Sequence, residues 1–125
     1  MLGSEQDSID NHRRFIERVA KVRVVWGLKS AKGWAVAPSN DHEGREVMPF
    51  WSDRAYAARA AKDEWAEYEA TSIDLDSFID NWLLGMNKGG LLVGTNWNAH
   101  LMGLEVAPVE LAEALLEAMG GRIEP

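Results

Sequence analysis

The chain contains no cysteine. That absence excludes disulfides, thiolate-bound zinc and a cysteine nucleophile, and it accords with a reducing compartment. Positive charge is also in short supply, with thirteen Lys and Arg against twenty Asp and Glu and a formal net charge of -7. A chain this acidic repels phosphate backbones and anionic lipid and forgoes the electrostatic attraction behind most nonspecific nucleic-acid binding. Nucleic acid is therefore not an expected partner, whereas basic proteins or cationic surfaces are compatible with the charge. No apolar run approaches the roughly 18 residues a membrane helix needs, and Met1 to Asp7 is polar without an apolar signal core. A cytoplasmic protein with no membrane association is the expectation. Histidine is sparse: His12, His42 and His100 form no HxH or HExxH pair. Asp41-His42-Glu43 reads as a solvated loop, so no metal and no cofactor is assigned.

Tryptophan, by contrast, is abundant. Six of the 125 residues are indoles, most of them placed where one element gives way to the next. So much indole in a small chain either builds an aromatic core or displays an aromatic surface, and the spacing favours the core. With 46% hydrophobic and 26% charged residues the composition is that of one ordinary domain. The organisation expected is a flexible N-terminus over 1–7, a single α+β domain over 8–121 and a C-terminal tail over 122–125.

Along the chain, Ile9, Ile16, Val19 and Ala20 fall at helical spacing, with Asp7 or Ser8 as the cap. Val22 to Leu28 and Gly33 to Ala37 read as an antiparallel strand pair, Pro38 to Arg45 as a loop, and Glu46 to Phe50 as a third strand. Ser52 is placed to cap a helix running from Asp53 to about Tyr68, with Trp51 and Tyr56 as a hydrophobic staple and Ala55, Ala58, Ala61, Trp65 and Tyr68 as its buried face. A brief strand at Thr71 to Leu75 leads to a helix capped by Asp74 or Asp76, carrying Phe78, Ile79, Trp82, Leu83 and Met86 and ended by Lys88-Gly89-Gly90. Leu91 to Thr95 and Leu101 to Val106 are strands joined by a short connection, and Pro108 opens a last helix stopped by Gly120-Gly121. Helices and strands mix without βαβ regularity, which predicts an α+β fold: a mainly antiparallel sheet covered by about four helices.

Candidate chemistry is thin. Ser52 lacks the GxSxG context of a nucleophile and is accounted for by capping. Gly89, Gly90 and Gly94 match no phosphate loop, and the paired carboxylates Asp74/Asp76 and Asp63/Glu64 suit caps and solvated faces. Asn96-Trp97-Asn98 is the element where function competes with structure. Two amides flanking an indole can hold a polar ligand by paired donors and acceptors, or they can serve the turn while Trp97 folds back on the core. If they hold a ligand, Trp51, Asp53 and Arg54 at the helix start are the expected neighbours, Arg54 as a clamp for a carboxylate.

Pro49-Phe50-Trp51-Ser52-Asp53-Arg54-Ala55, then Ile73-Asp74-Leu75 with Phe78 and Trp82-Leu83, and finally Gly94-Thr95-Asn96-Trp97-Asn98 with Gly103-Leu104-Glu105-Val106 resemble a bacterial family, domain of unknown function 2750, over roughly residues 12 to 118. The resemblance implies a small protein and brings no reaction, ligand or catalytic residue with it. A fainter likeness of element order points to the SseB-type N-terminal domain. The function expected is a non-catalytic protein-interaction module, acting by capture of a partner or self-association, with an immunity-like or regulatory blocker of a basic target as its specific form. The alternative is a small-molecule binder or enzyme built on Trp51, Asp53, Arg54, Asn96, Trp97 and Asn98.

Overall fold

A computed structural model describes residues 2–120. Met1, Gly121 and the tail 122–125 lie outside the described residues. Helix α1 (Leu2–Val22) begins earlier than its apolar pattern indicated, so Asp7 and Ser8 lie inside it and not at a cap. Phe15 and Val19, one turn apart, are fully buried and anchor it. The helix stops at Arg23, whose backbone turns left-handed (φ 63) while its N–H donates to the Val19 carbonyl at 2.8 Å. Glycine adopts that conformation without the side-chain clash an arginine meets. Arg23→Gly is therefore expected to stabilise the domain by about 1 kcal/mol, because the exposed pair with Asp76 that it removes is worth little. A melting temperature unchanged or lowered would contradict this.

Strands β1 (Val24–Ser30), β2 (Gly33–Trp34), β3 (Ala37–Pro38) and β4 (Glu46–Phe50) follow. The predicted strand over 33–37 is split. Gly33 and Trp34 pair with the end of β1, after which the chain changes partners and Ala37-Pro38 pairs with β4. Next come α2 (Arg54–Ala60), a 3-10 turn (Asp63–Trp65) and β5 (Glu69–Asp74). Helix α2 is much shorter than its pattern predicted. Its buried face is Ala57 and Ala60, whereas Ala55 and Ala58 are exposed. At about 100° per residue, a continued helix would aim position 65 about 110° away from that face. The break at Ala61 and the left-handed Asp63 (φ 53) instead turn Trp65 inward to 7% exposure. Ser52 is not the cap either: Asp53 holds that position, without a side-chain cap bond.

The last third runs through α3 (Leu75–Ser77), a π-helical stretch (Phe78–Leu83) and α4 (Leu84–Gly89) as one continuous rod, then β6 (Leu92–Thr95), β7 (Leu104–Val106) and α5 (Pro108–Ala118). Asp74 caps the rod by accepting from the Ser77 N–H, Gly90 ends it at φ 76, and Pro108 opens α5.

Two sheets result. One is antiparallel in the order β2-β1-β5, and the other, β3-β4-β6-β7, is antiparallel except for the parallel pair β4/β6. They are joined where Trp26 and Trp51 exchange backbone hydrogen bonds of 2.9 and 2.7 Å. Period-two alternation then divides the core. Val25, Phe50 and Val93 face a layer made by α1, the rod and α5, while Leu28, Val47, Trp51 and Leu92 face α2 and the 3-10 turn. The fold is thus a single α+β unit with helices on both sides of its strands. Three indoles, Trp51, Trp65 and Trp97, are buried, and Trp26, Trp34 and Trp82 are half-buried. Trp34, Trp82, Phe50 and Phe78 meet edge to face at centroid distances of 4.6 to 5.9 Å.

Candidate functional site

Because β4 and β6 run parallel, their C-terminal ends emerge side by side, with Phe50 paired to Thr95. The residues that follow, Trp51-Ser52 on one strand and Asn96-Trp97 on the other, are brought into contact. Asn96 takes a left-handed backbone (φ 47) and donates its N–H to the Phe50 carbonyl at 2.9 Å. Its side-chain oxygen accepts the Ser52 N–H at 2.8 Å, and its Nδ2 donates to Ser52 Oγ at 3.1 Å and to the Asn11 carbonyl at 3.3 Å. Trp51 Nε1 donates to the Trp97 carbonyl, and Trp97 Nε1 to the Leu104 carbonyl, each at 3.0 Å. Gly94 and Gly103 lie against the Trp97 ring, where neither leaves room for a Cβ.

This layer is closed on itself. Ser52 and Asn96 are 2% and 5% exposed, and among the described residues no buried side-chain N or O lacks a partner. Donors spent on neighbouring backbone are not free to meet a ligand. Asn98 belongs to the turn as well, its Oδ1 accepting the N–H groups of His100 (2.8 Å) and Met102 (3.1 Å). Asp53 accepts from Ser52 Oγ at 2.9 Å and from Arg18 Nε at 2.9 Å, which ties α2 to α1. Of the residues singled out from the sequence, Trp51, Asn96 and Trp97 therefore come together, Asp53 touches them through Ser52, and Asn98 lies at the surface beyond. Arg54 is exposed and stands outside the cluster.

His12 and Thr95 were not anticipated. Thr95 is fully buried, and its Oγ1 lies 2.9 Å from His12 Nδ1, so a polar link crosses from α1 to the end of β6. Burial lowers the His12 pKa below its ordinary 6.5 by desolvating the imidazolium. The unfolded chain then binds a proton at higher pH than the folded one, so the contribution is intact above 6.5 and is lost as pH falls through the lowered folded value. Denaturation midpoints should drop on acidification below neutral in the wild type and drop less in His12→Gln. Parallel pH profiles would refute this assignment.

Over the closed layer lies concave surface that the sequence did not reveal. A hollow of about 400 Å³ is bordered by Asn98, His100, Tyr56, Arg14 and Arg59, and none of its lining residues is acidic. It continues into an open groove between α1 and α2, with which it shares Arg14 and Tyr56. On its other side a second hollow, which includes Lys62, Asp63 and Trp65, shares Ala99 and His100. The (i, i+3) spacing of Tyr56 and Arg59 did place those two on one helical face. Nothing local tied Arg14 to them.

Among the described residues no cluster of His, Asp and Glu is arranged to hold a metal ion, and no helix is long and apolar enough to cross a membrane. No curated protein and no solved structure matches the chain, and the fainter SseB-type likeness gains no support. A family model does match, over residues 12–115, nearly the whole domain, including the Phe50–Ser52 and Asn96–Trp97 segments that form the closed layer. The chain belongs to the family described as "Protein of unknown function (DUF2750)".

Proposed function

We propose that the protein is a non-catalytic binding module that captures a protein partner along the strip where α1, α2 and the Asn96–Met102 turn meet. The observation that carries this reading is the continuity of concave surface there: three hollows, linked through shared residues, with Tyr56 and Arg14 at the junction of two of them. A linked series of open hollows suits a stretch of polypeptide better than an enclosed metabolite. Tyrosine and arginine are among the side chains that most often carry interface energy. The floor is preformed by the Trp51–Asn96–Trp97 layer, so little ordering cost falls on binding. The alternative, a ligand held by Asn96 and Trp97 themselves, is disfavoured because their polar atoms are already engaged. A regulatory or immunity-like action, in which occupancy blocks the partner, fits a module of this kind.

The net charge of -7 favours a basic target, but the strip itself carries Arg13, Arg14, Arg18 and Arg59 beside Asp10, Glu17 and Asp53. Recognition here depends on local pairing, and association should slow as salt is raised. The test is capture from an extract of the source cells. One bait is the wild type and the other carries Arg14→Ala, Tyr56→Ala and Arg59→Ala, the two matched for thermal stability. A protein retained by the first and lost from the second, and then shown to bind as a purified partner, is the expected result. Sedimentation of the protein alone would identify a second copy as the partner if the same substitutions dissolve a dimer. Identical retention on both baits, with no such dimer, would contradict the reading.

A further inference from the structure

We infer that the hollow beside the Asn96–His100 turn is a seat for one oxyanion, a carboxylate or phosphate group, held between Arg14 and Arg59. The inference takes its location from the reading above but does not require the ligand to be a protein. Arg14 reaches from α1 to bring Nη1 within 3.4 Å of the Tyr56 hydroxyl, and Arg59, one turn along α2, places its Cζ 5.3 Å from the centroid of the same ring. Both guanidiniums are thus stationed on one tyrosine, at its hydroxyl and on its face. Such contacts orient an arginine while leaving most of its five N–H donors unused.

The other arginines differ in partner or in place. Arg13, Arg18 and Arg23 each hold a carboxylate, at 3.4, 2.9 and 3.0 Å. Arg45 donates to the Gly90 carbonyl, and Arg54, exposed and outside any ion pair among the described residues, does not line the hollow. Among the described residues, Arg14 and Arg59 enter no ion pair, although the chain has twenty acidic residues to offer and the hollow is lined by none of them. Asp10, Glu17 and Asp53 stand in the adjoining groove and do not line the hollow. Two like charges brought to a hollow whose own lining holds no carboxylate repel, and an anion seated there reduces that repulsion.

The remaining polar rim is biased the same way. Asn98 spends its side-chain oxygen on the His100 and Met102 N–H groups, which leaves its exposed NH₂ as a donor. His100 lines the same hollow and brings a ring N–H donor to it. A rim of donors matches an acceptor-only group, and guanidiniums fit the flat fork of a carboxylate or the face of a phosphate. A volume of about 400 Å³ admits such a group with a small body attached.

The experiment is an NMR titration of the isolated protein that follows the arginine Nε–H and Asn98 amide signals. Sodium phosphate and sodium succinate are the probes, with sodium chloride at matched ionic strength as the reference. Saturable shifts with at least one oxyanion and not with chloride are expected, weakened about tenfold in Arg14→Gln or Arg59→Gln, the loss of one charge-assisted contact. Lys88→Gln, which removes an equal charge from the end of α4, should leave the affinity unchanged. Tighter phosphate binding assigns the seat to phosphate, and tighter succinate binding assigns it to carboxylate. No saturable shift with either probe, or saturation that survives loss of both arginines, overturns the inference. Because no partner is present, failure here is separate from failure of the capture experiment.

Discussion

Gly94→Ala is expected to destabilise the domain by about 3 kcal/mol, lowering its melting temperature by about 10 °C. The cause is steric and local. A Cβ on Gly94 would sit 2.5 Å from Trp97 Cε2 and 2.6 Å from its Nε1, closer than packed atoms approach. The ring cannot shift easily along the sheet, because its Cδ1 edge abuts Gly103 and its Nε1 donates to the Leu104 carbonyl. Moving it would also disturb the Trp97 carbonyl that receives Trp51 Nε1. Calorimetry of Gly94→Ala checks the magnitude, and the Trp97→Leu background checks the cause. Leucine lacks the ring atoms Cε2, Nε1 and Cζ2 that the new methyl would meet, so the cost of Gly94→Ala should shrink there. An undiminished cost would show that something other than the indole is responsible.

Asn96→Ala is expected to cost a similar amount, about 3 kcal/mol, for a different reason. The buried Ser52 N–H loses its acceptor, and an unsatisfied buried donor costs about 1–3 kcal/mol. Alanine must also adopt the left-handed backbone at φ 47, which adds about 1 kcal/mol. The two contributions can be separated. Asn96→Gly removes the same amide without the backbone penalty, so it should melt higher than Asn96→Ala yet lower than the wild type. If glycine and alanine gave equal losses, the backbone part of the account would be wrong. If glycine matched the wild type, the hydrogen-bond part would be.

Much of the fold could be read from local pattern, and the exceptions share a cause. The Asp74 cap, the Gly90 stop, Pro108 at the head of α5 and strand β4 over 46–50 each depend on residues close together in the chain. The strand expected over 33–37 depended on a distant partner, since Ala37 leaves β1 to pair with Val47. Helix α2 ended early because burying Trp65 outweighed continuing a pattern of alanines and charged residues. The parallel register of β4 on β6, which creates the Phe50–Asn96 junction, joins segments separated by α2, β5 and the rod. The hollow was the least legible feature: Arg14 and Arg59 lie on different helices and meet only on Tyr56. Trp51, Asn96 and Trp97 stood out because indole and asparagine at strand ends are conspicuous, and their partners, Ser52 N–H and the Leu104 carbonyl, are backbone groups with no signature of their own.

The central claim is a division of labour, in which an inner layer around Asn96 and Trp97 holds the domain together and an outer pair, Arg14 and Arg59, is held ready for a ligand. Thermal unfolding of Asn96→Ala beside the double variant Arg14→Gln/Arg59→Gln tests it most directly. The account predicts a loss of about 10 °C for the first and a change within about 2 °C for the second, whose like-charge repulsion is relieved. An Asn96→Ala protein that melts with the wild type, or an arginine double variant that collapses, would contradict it.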